Sequence, residues 1–222
     1  MAALRPLLLL GLLLAASPGL GRWPPAPQSP LEQVAAPEGL GLAQLAGSWF
    51  LVGMVSPCSA LAEQSHRLEA TAVTVSVPDE QSLVISTFRR LDGTCWEIWQ
   101  RYLPAQAHGG FLLKGHGYGG TVHMLVGETD HSSYAILYYQ RGRSISLKLY
   151  GRSSRVSDAI ADRFEQRARA VGLSQDLIYY FPTYGGWHRD PQSRGTQSRE
   201  GEALPGFCTT TDEFHILDES KP

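Results

Sequence analysis

Gly47-Ser48-Trp49-Phe50-Leu51-Val52-Gly53-Met54-Val55 is a strand by composition, crowded with aromatic and β-branched residues that suit a pleated, half-buried surface. Gly47 allows a tight backbone approach, and Trp49 offers a large surface to bury. A Gly-x-Trp start is shared by many unrelated strands, as a core tryptophan beside a turn glycine. What gives it meaning is the order of the segments that follow.

Ser56-Pro57-Cys58-Ser59 ends the strand, and a polar link runs on to Arg67. Residues 69–77 alternate, with Thr71, Val73, Val75 and Val77 on one face and Ala70, Ala72, Thr74 and Ser76 on the other. Pro78-Asp79 turns the chain into a strand over 83–91, and Asp92-Gly93 is a hairpin signal leading into 95–103. His108-Gly109-Gly110 turns again before a short apolar segment, 111–114, and residues 115–120 make another glycine-rich turn. Residues 121–128 and 134–140 form a further pair. Arg141-Gly142-Arg143 then turns into 144–150, where Ile145, Leu147 and Leu149 face one way and Ser146, Lys148 and Tyr150 the other. Eight strands joined by short turns, with no helix between them, predict an all-β fold: an antiparallel up-and-down meander closed into a barrel.

One helix follows. Ser157 suits an N-cap, Asp158 complements the first turn, and Gly172 is placed to terminate. Ile160, Phe164, Ala168 and Val171 fall on one stripe, which would pack against the outside of the barrel. Asp162, Arg163, Glu165, Arg167 and Arg169 read as solvated charges on the opposite face.

Upstream, residues 1–21 read as a cleaved secretory signal: Arg5 precedes a short apolar run that exits through small residues. That run is too short to span a bilayer, so an extracellular location is expected. Residues 22–41, rich in Pro and Gly and without period, read as a flexible arm. The formal charge of −2, with both signs interspersed, favours neither nucleic acid nor a membrane surface as a partner. The sequence contains no Asn, which excludes N-glycosylation.

The order of secretory signal, Gly47-x-Trp49, eight strands, Arg152 just past the last strand, then one helix resembles the lipocalins, over residues 42–218. The resemblance implies that Arg152 packs over Trp49, with Gly47, at the closed end of the barrel; cation–π attraction gives that pairing a physical reason. Thr129-Asp130-His131 stands where the family has Thr-Asp-Tyr. Stretches spread over the domain, among them Ser86-Thr87-Phe88-Arg89-Arg90-Leu91-Asp92-Gly93-Thr94-Cys95-Trp96 and Phe214-His215-Ile216-Leu217-Asp218-Glu219, are similar to a member that serves as a subunit of a plasma complement complex. That similarity implies entry into the membrane attack assembly. Residues 186–206 interrupt the similarity with a polar stretch lacking period, expected to be disordered. A retained non-coding segment and a functional loop are the two readings of it.

Three cysteines in a secreted chain leave one over. The family pattern implies a disulfide between Cys95 and Cys208, tying the tail to the barrel. Cys58 could be a buried, inert thiol, but its Ser-rich loop argues for exposure. The resemblance implies a disulfide from Cys58 to the alpha chain of the complex and, through it, association with the beta chain. An enzyme reading would need Cys58 facing a cavity with a stabilised thiolate. Nothing beside it supplies this; His66 is the nearest basic candidate. No catalytic residue, cofactor or metal site is expected, since the seven histidines are scattered without ligand spacing. A free carrier of a small hydrophobic ligand is the other reading, with Val73, Val75, Leu147 and Leu149 as inward candidates for its pocket.

Overall fold

The computed structural model describes residues 29–91, 94–106, 109–114, 120–183 and 214–218. Eight strands, β1 (Gly47–Val55), β2 (Thr71–Ser76), β3 (Leu83–Leu91), β4 (Thr94–Pro104), β5 (Gly110–Leu113), β6 (Val122–Thr129), β7 (Tyr134–Arg141) and β8 (Ser144–Gly151), pair antiparallel in sequence order. β8 returns to β1, with Leu51 opposite Tyr150 and Val55 opposite Leu147, so the barrel is closed. The helix α3 (Asp158–Ala170) lies outside it, and shorter helices α1 (Leu42–Leu45) and α2 (Ser59–Glu63) flank β1. Two short strands supplement the barrel. β9 (Ile178–Tyr180) pairs with the upper part of β1, and β10 (Phe214–Asp218) runs parallel to β4 with Phe214 opposite Cys95.

Two apolar clusters hold the fold together. Inside the barrel, Trp49, Val73, Leu83, Tyr102, Met124 and Tyr150 belong to one. The other lies between the outer wall and the helix, where Phe164 and Ala168 of α3 meet Val52, Ile136, Leu147 and Leu149. Ile160 and Val171 pack at its margin, so the helical stripe read from the sequence is the buried one. Full burial of a side chain like Phe164 is worth roughly 1.5–3 kcal/mol. α3 ends in a Schellman arrangement: Gly172, at φ +81°, donates to the carbonyl of Arg169, and Leu173 donates to that of Ala168. At the other end Ser157 occupies the N-cap position without a side-chain bond.

Several expectations need correction. Leu147 and Leu149 face the helix, not the barrel interior. β8 is covered on both sides, so its alternation separates two faces without saying which is inside, and the more apolar face serves the helix. Residues 22–41 were expected as a flexible arm, but from Ser29 onward the chain is docked. A 3-10 turn, Pro30–Gln33, is closed by a capping box between Ser29 and Glu32. The Leu31 amide donates to Gln140 Oε1 (3.1 Å), and Leu31, Val34 and Ala36 pack on the outer cluster. The charges of α3 are not all merely solvated: Arg163 and Arg167 pair with Glu128 at 2.9 and 2.7 Å, fastening the helix to β6. The link after β1 contains α2 and a further 3-10 turn, Ser65–Arg67. Residues 1–28 and 186–206 lie outside the described residues. No helix among the described residues is long and apolar enough to cross a membrane.

Candidate functional site

β1 rises from Gly47 at the lower end of the barrel to Val55 at the upper rim, and the two ends differ in chemistry. At the lower end, Arg152 emerges directly after β8 and its guanidinium carbon lies 3.7 Å from the centre of the Trp49 ring. The guanidinium donates to the carbonyls of Ser48 (3.1 Å) and Gln44 (2.8 Å), with longer contacts to that of His131 (3.4 Å). Trp49 Nε1 donates to the carbonyl of Leu45 (2.7 Å), binding α1 across the floor. Gly47 adopts φ +103°, and a Cβ there would lie 3.1 Å from Arg152 Nη1, so glycine serves both the conformation and the contact. Gly47, Trp49 and Arg152 thus form one cluster.

His131 takes part through its backbone. It sits at φ +63° in the β6–β7 turn, which Asp130 organises by accepting from the amides of Ser132, Ser133 and Tyr134. Burial pushes the Asp130 carboxyl up, but the Ser133 hydroxyl and these amides outweigh it and hold the group at about 2. On the outer wall, Glu128 accepts from Tyr134 Oη, Arg163 and Arg167. Partial burial opposes its ionisation, and these three donors together keep its pKa below the usual value. Both clusters bind the barrel's own elements together.

Above the floor, the interior is packed. A void of about 20 Å³ remains, lined by apolar side chains including Val73, Val75, Leu83 and Leu137 under Tyr150. Such a space would hold about one water and offers that water no polar partner. Of the four expected pocket residues, Val73 and Val75 reach it; Leu147 and Leu149 do not. Tyr150 borders the void, and Tyr102 and Tyr139 are buried in the same interior cluster. Tyr102 and Tyr139 meet edge to face with centroids 6.4 Å apart, and the hydroxyls of Tyr139 and Tyr150 are 3.5 Å apart. Burial raises the Tyr139 phenol well above its ordinary value, and the neighbouring tyrosines add to this. The sequence reading missed this layer, although Tyr150 stands on the inner face that alternates with Leu147 and Leu149.

Cys58 lies at the opposite, upper end. It is free and exposed, at the N-cap position of α2, where its amide donates to Ser56 Oγ (3.3 Å) and its carbonyl accepts from Leu61 and Ala62. Cys95 at the start of β4 is disulfide-bonded and only 5% exposed. Cys208 lies outside the described residues. Among the described residues no group of His, Cys, Asp and Glu could hold a metal.

Comparison with known proteins agrees with this geometry. Residues 46–183, more than half of the chain, match the Lipocalin / cytosolic fatty-acid binding protein family. The chain belongs to the lipocalin family. This lipocalin is 42% identical over 214 residues to the complement component C8 gamma chain of Oryctolagus cuniculus, covering 95% of each chain. It is 27% identical over 160 residues to protein AMBP of Bos taurus, a match that spans 69% of this chain and 46% of that protein. Its fold superposes on a solved structure of the siderocalin Ex-FABP with a TM-score of 0.56, at 21% identity, over 63% of this chain and 95% of the other.

Proposed function

We propose that this lipocalin is a secreted, non-enzymatic subunit of complement component C8, joined by a disulfide from Cys58 to the alpha chain and through it to the beta chain and the membrane attack complex. The observation that carries this reading is the difference between its two described cysteines. Cys95 is already bonded, whereas Cys58 is free and exposed on the barrel rim. An exposed lone thiol outside the cell is available for exchange with a partner. The likeness to the C8 gamma chain over 95% of both chains supplies the partner.

The remaining cysteine, Cys208, is the proposed mate of Cys95. β10 begins six residues after it and runs beside β4, with Phe214 opposite Cys95, which brings the tail to the place such a bridge requires. Closing a loop of this length would stabilise the domain by up to about 4.7 kcal/mol in the chain-entropy treatment. Residues 1–21 are the proposed secretion signal, and 186–206 the proposed disordered insert. Exposure of Cys58 away from the packed interior speaks against its use as a cavity nucleophile.

The test is co-expression with the C8 alpha chain and electrophoresis without reductant. The native pair should run as one covalent species, and Cys58→Ser should release this chain while leaving its fold intact. A Cys58→Ser variant that still runs covalently attached would refute the assignment of the bridge. A native chain that migrates alone, with Cys58 freely alkylated, would favour a free carrier instead.

A further inference from the structure

On the outer wall of the barrel, one row of side chains crosses from β4 to β7 in register. Leu103 stands opposite Leu112, Leu112 opposite His123, and His123 opposite Gln140. Each is next to an inward residue, respectively Tyr102, Phe111, Met124 and Tyr139, so the row faces outward. At the β7 end the row is covered: Gln140 is buried and accepts from the Leu31 amide. The cover then stops. His123 is exposed, Leu112 is half-buried, and Leu103 is 42% exposed, which with Tyr180 makes the exposed large apolar side chains of the described residues. In the adjacent row Gly110, opposite Leu125, has no side chain, and the wall dips there. The result is a groove of about 780 Å³, bordered by Ser29, Leu31 and Val34 on one side and by Leu112, His123 and Leu125 on the other.

Ser29 borders this groove, so the chain that precedes it enters at the β7 end. With cleavage after residue 21, as proposed above, that chain is Arg22-Trp23-Pro24-Pro25-Ala26-Pro27-Gln28. Its three prolines have φ already fixed, which lowers the entropy lost when the segment docks. A polyproline helix advances about 3.1 Å per residue, so the six steps from Ser29 back to Trp23 cover roughly 19 Å. The three strand spacings from β7 to β4 amount to roughly 14 Å. The segment is thus long enough to carry the indole of Trp23 across the row to Leu112 and Leu103, its apolar end.

We infer that this groove is the docking site of the chain's own residues 22–28, with the prolines crossing His123 and the Trp23 ring capping Leu103 and Leu112. The inference rests on the proposed cleavage after residue 21 and is independent of the C8 assignment. Attachment at Ser29 favours this occupant over a partner's segment, because a short tether holds it at an effective concentration of about millimolar. So placed, residues 22–28 extend the strap formed by residues 29–36 and close the outer wall as far as β4.

The test puts the photoreactive amino acid p-benzoylphenylalanine in place of Trp23 in the full-length chain, and irradiates the processed, folded protein. Digestion and mass spectrometry should find an intramolecular cross-link to a peptide that contains Leu103 or Leu112. Leu103→Glu, at a site exposed enough to leave the fold intact, should lower the yield about tenfold, because the aromatic ring would then cover a carboxylate without a partner. Leu103→Met should retain it. No cross-link to either peptide, or an equal yield in Leu103→Glu, would overturn the inference. So would a cross-link formed only between two copies of the chain, or only to the C8 alpha chain in the assembled complex. Sequencing of the N-terminus separates the two readings: a chain that begins past Trp23 refutes the cleavage and the inference together, and one that begins at Arg22 without the cross-link refutes the inference alone.

Discussion

At the lower end of the barrel, Arg152 lies over Trp49 and donates to carbonyls from α1, β1 and the β6–β7 turn. At the upper end, Cys58 opens a five-residue helix that buries none of its side chains. The lower end resembles a domain core: Arg152, Asp130 and the Trp49 indole all have partners, His131 Nε2 being the buried polar atom without one, and the void left over is water-sized. The upper end keeps a free, exposed thiol. Groups that spend themselves on one another hold a fold, and groups left unspent are available to a partner or a ligand. The contrast separates the residues on which stability depends from those on which function should depend.

The largest expected effects probe the buried side of that contrast. Phe164→Ala empties the contact between α3 and the wall and should destabilise by about 3–5 kcal/mol, read as a lowered urea midpoint. Leu147→Ala should cost about 2–5 kcal/mol, because Leu147 is fully buried beneath the helix. Its neighbour Lys148, on the opposite face, provides the sharper comparison: Lys148→Gln should change stability by less than about 1 kcal/mol. If adjacent residues 147 and 148 destabilise equally, the division of β8 into a helix-facing and a solvent-reached face is wrong.

A smaller effect is expected at the floor. Arg152→Met keeps an apolar stem over Trp49 but leaves the carbonyls of Gln44 and Ser48 without this donor, and should cost about 1–3 kcal/mol. Arg152→Lys should recover only part of it, since an ammonium cannot present the same fork to several carbonyls.

Much of this was legible from the chain. The eight-strand order, the apolar stripe of α3 and the meeting of Trp49 with Arg152 follow from alternation, periodicity and family likeness. Which face of β8 is inside did not follow, because Leu147 and Leu149 are as apolar as an interior pocket would require. Their burial depends on Phe164, which approaches from another part of the chain. The docking of residues 29–36 was hidden for the same reason: Leu31 and Val34 have no period of their own and are ordered by Gln140 and the outer wall. β9 and β10 are too short to announce themselves and exist as additions to β1 and β4.

The smallest effect concerns acid. The Asp130 carboxyl titrates at about 2 in the folded protein, below its ordinary 3.8. A depressed folded value means that its contribution is present above pH 4 and lost as pH falls towards 2. The group is largely exposed, so screening limits that contribution to at most about 1 kcal/mol. Asp130→Asn, which keeps an acceptor for the turn amides, should flatten the pH dependence of the thermal midpoint across that window. An unchanged profile would mean that the turn is organised by other groups.

The claim that the upper rim carries the function through Cys58 is tested most directly by a disulfide map of the native protein, digested without reduction and read by mass spectrometry. The expected result is a peptide containing Cys58 joined to a peptide of the C8 alpha chain, with Cys95 joined to Cys208. A Cys58 peptide joined to Cys95 or Cys208, or recovered wholly as the free thiol from the assembled complex, would contradict it.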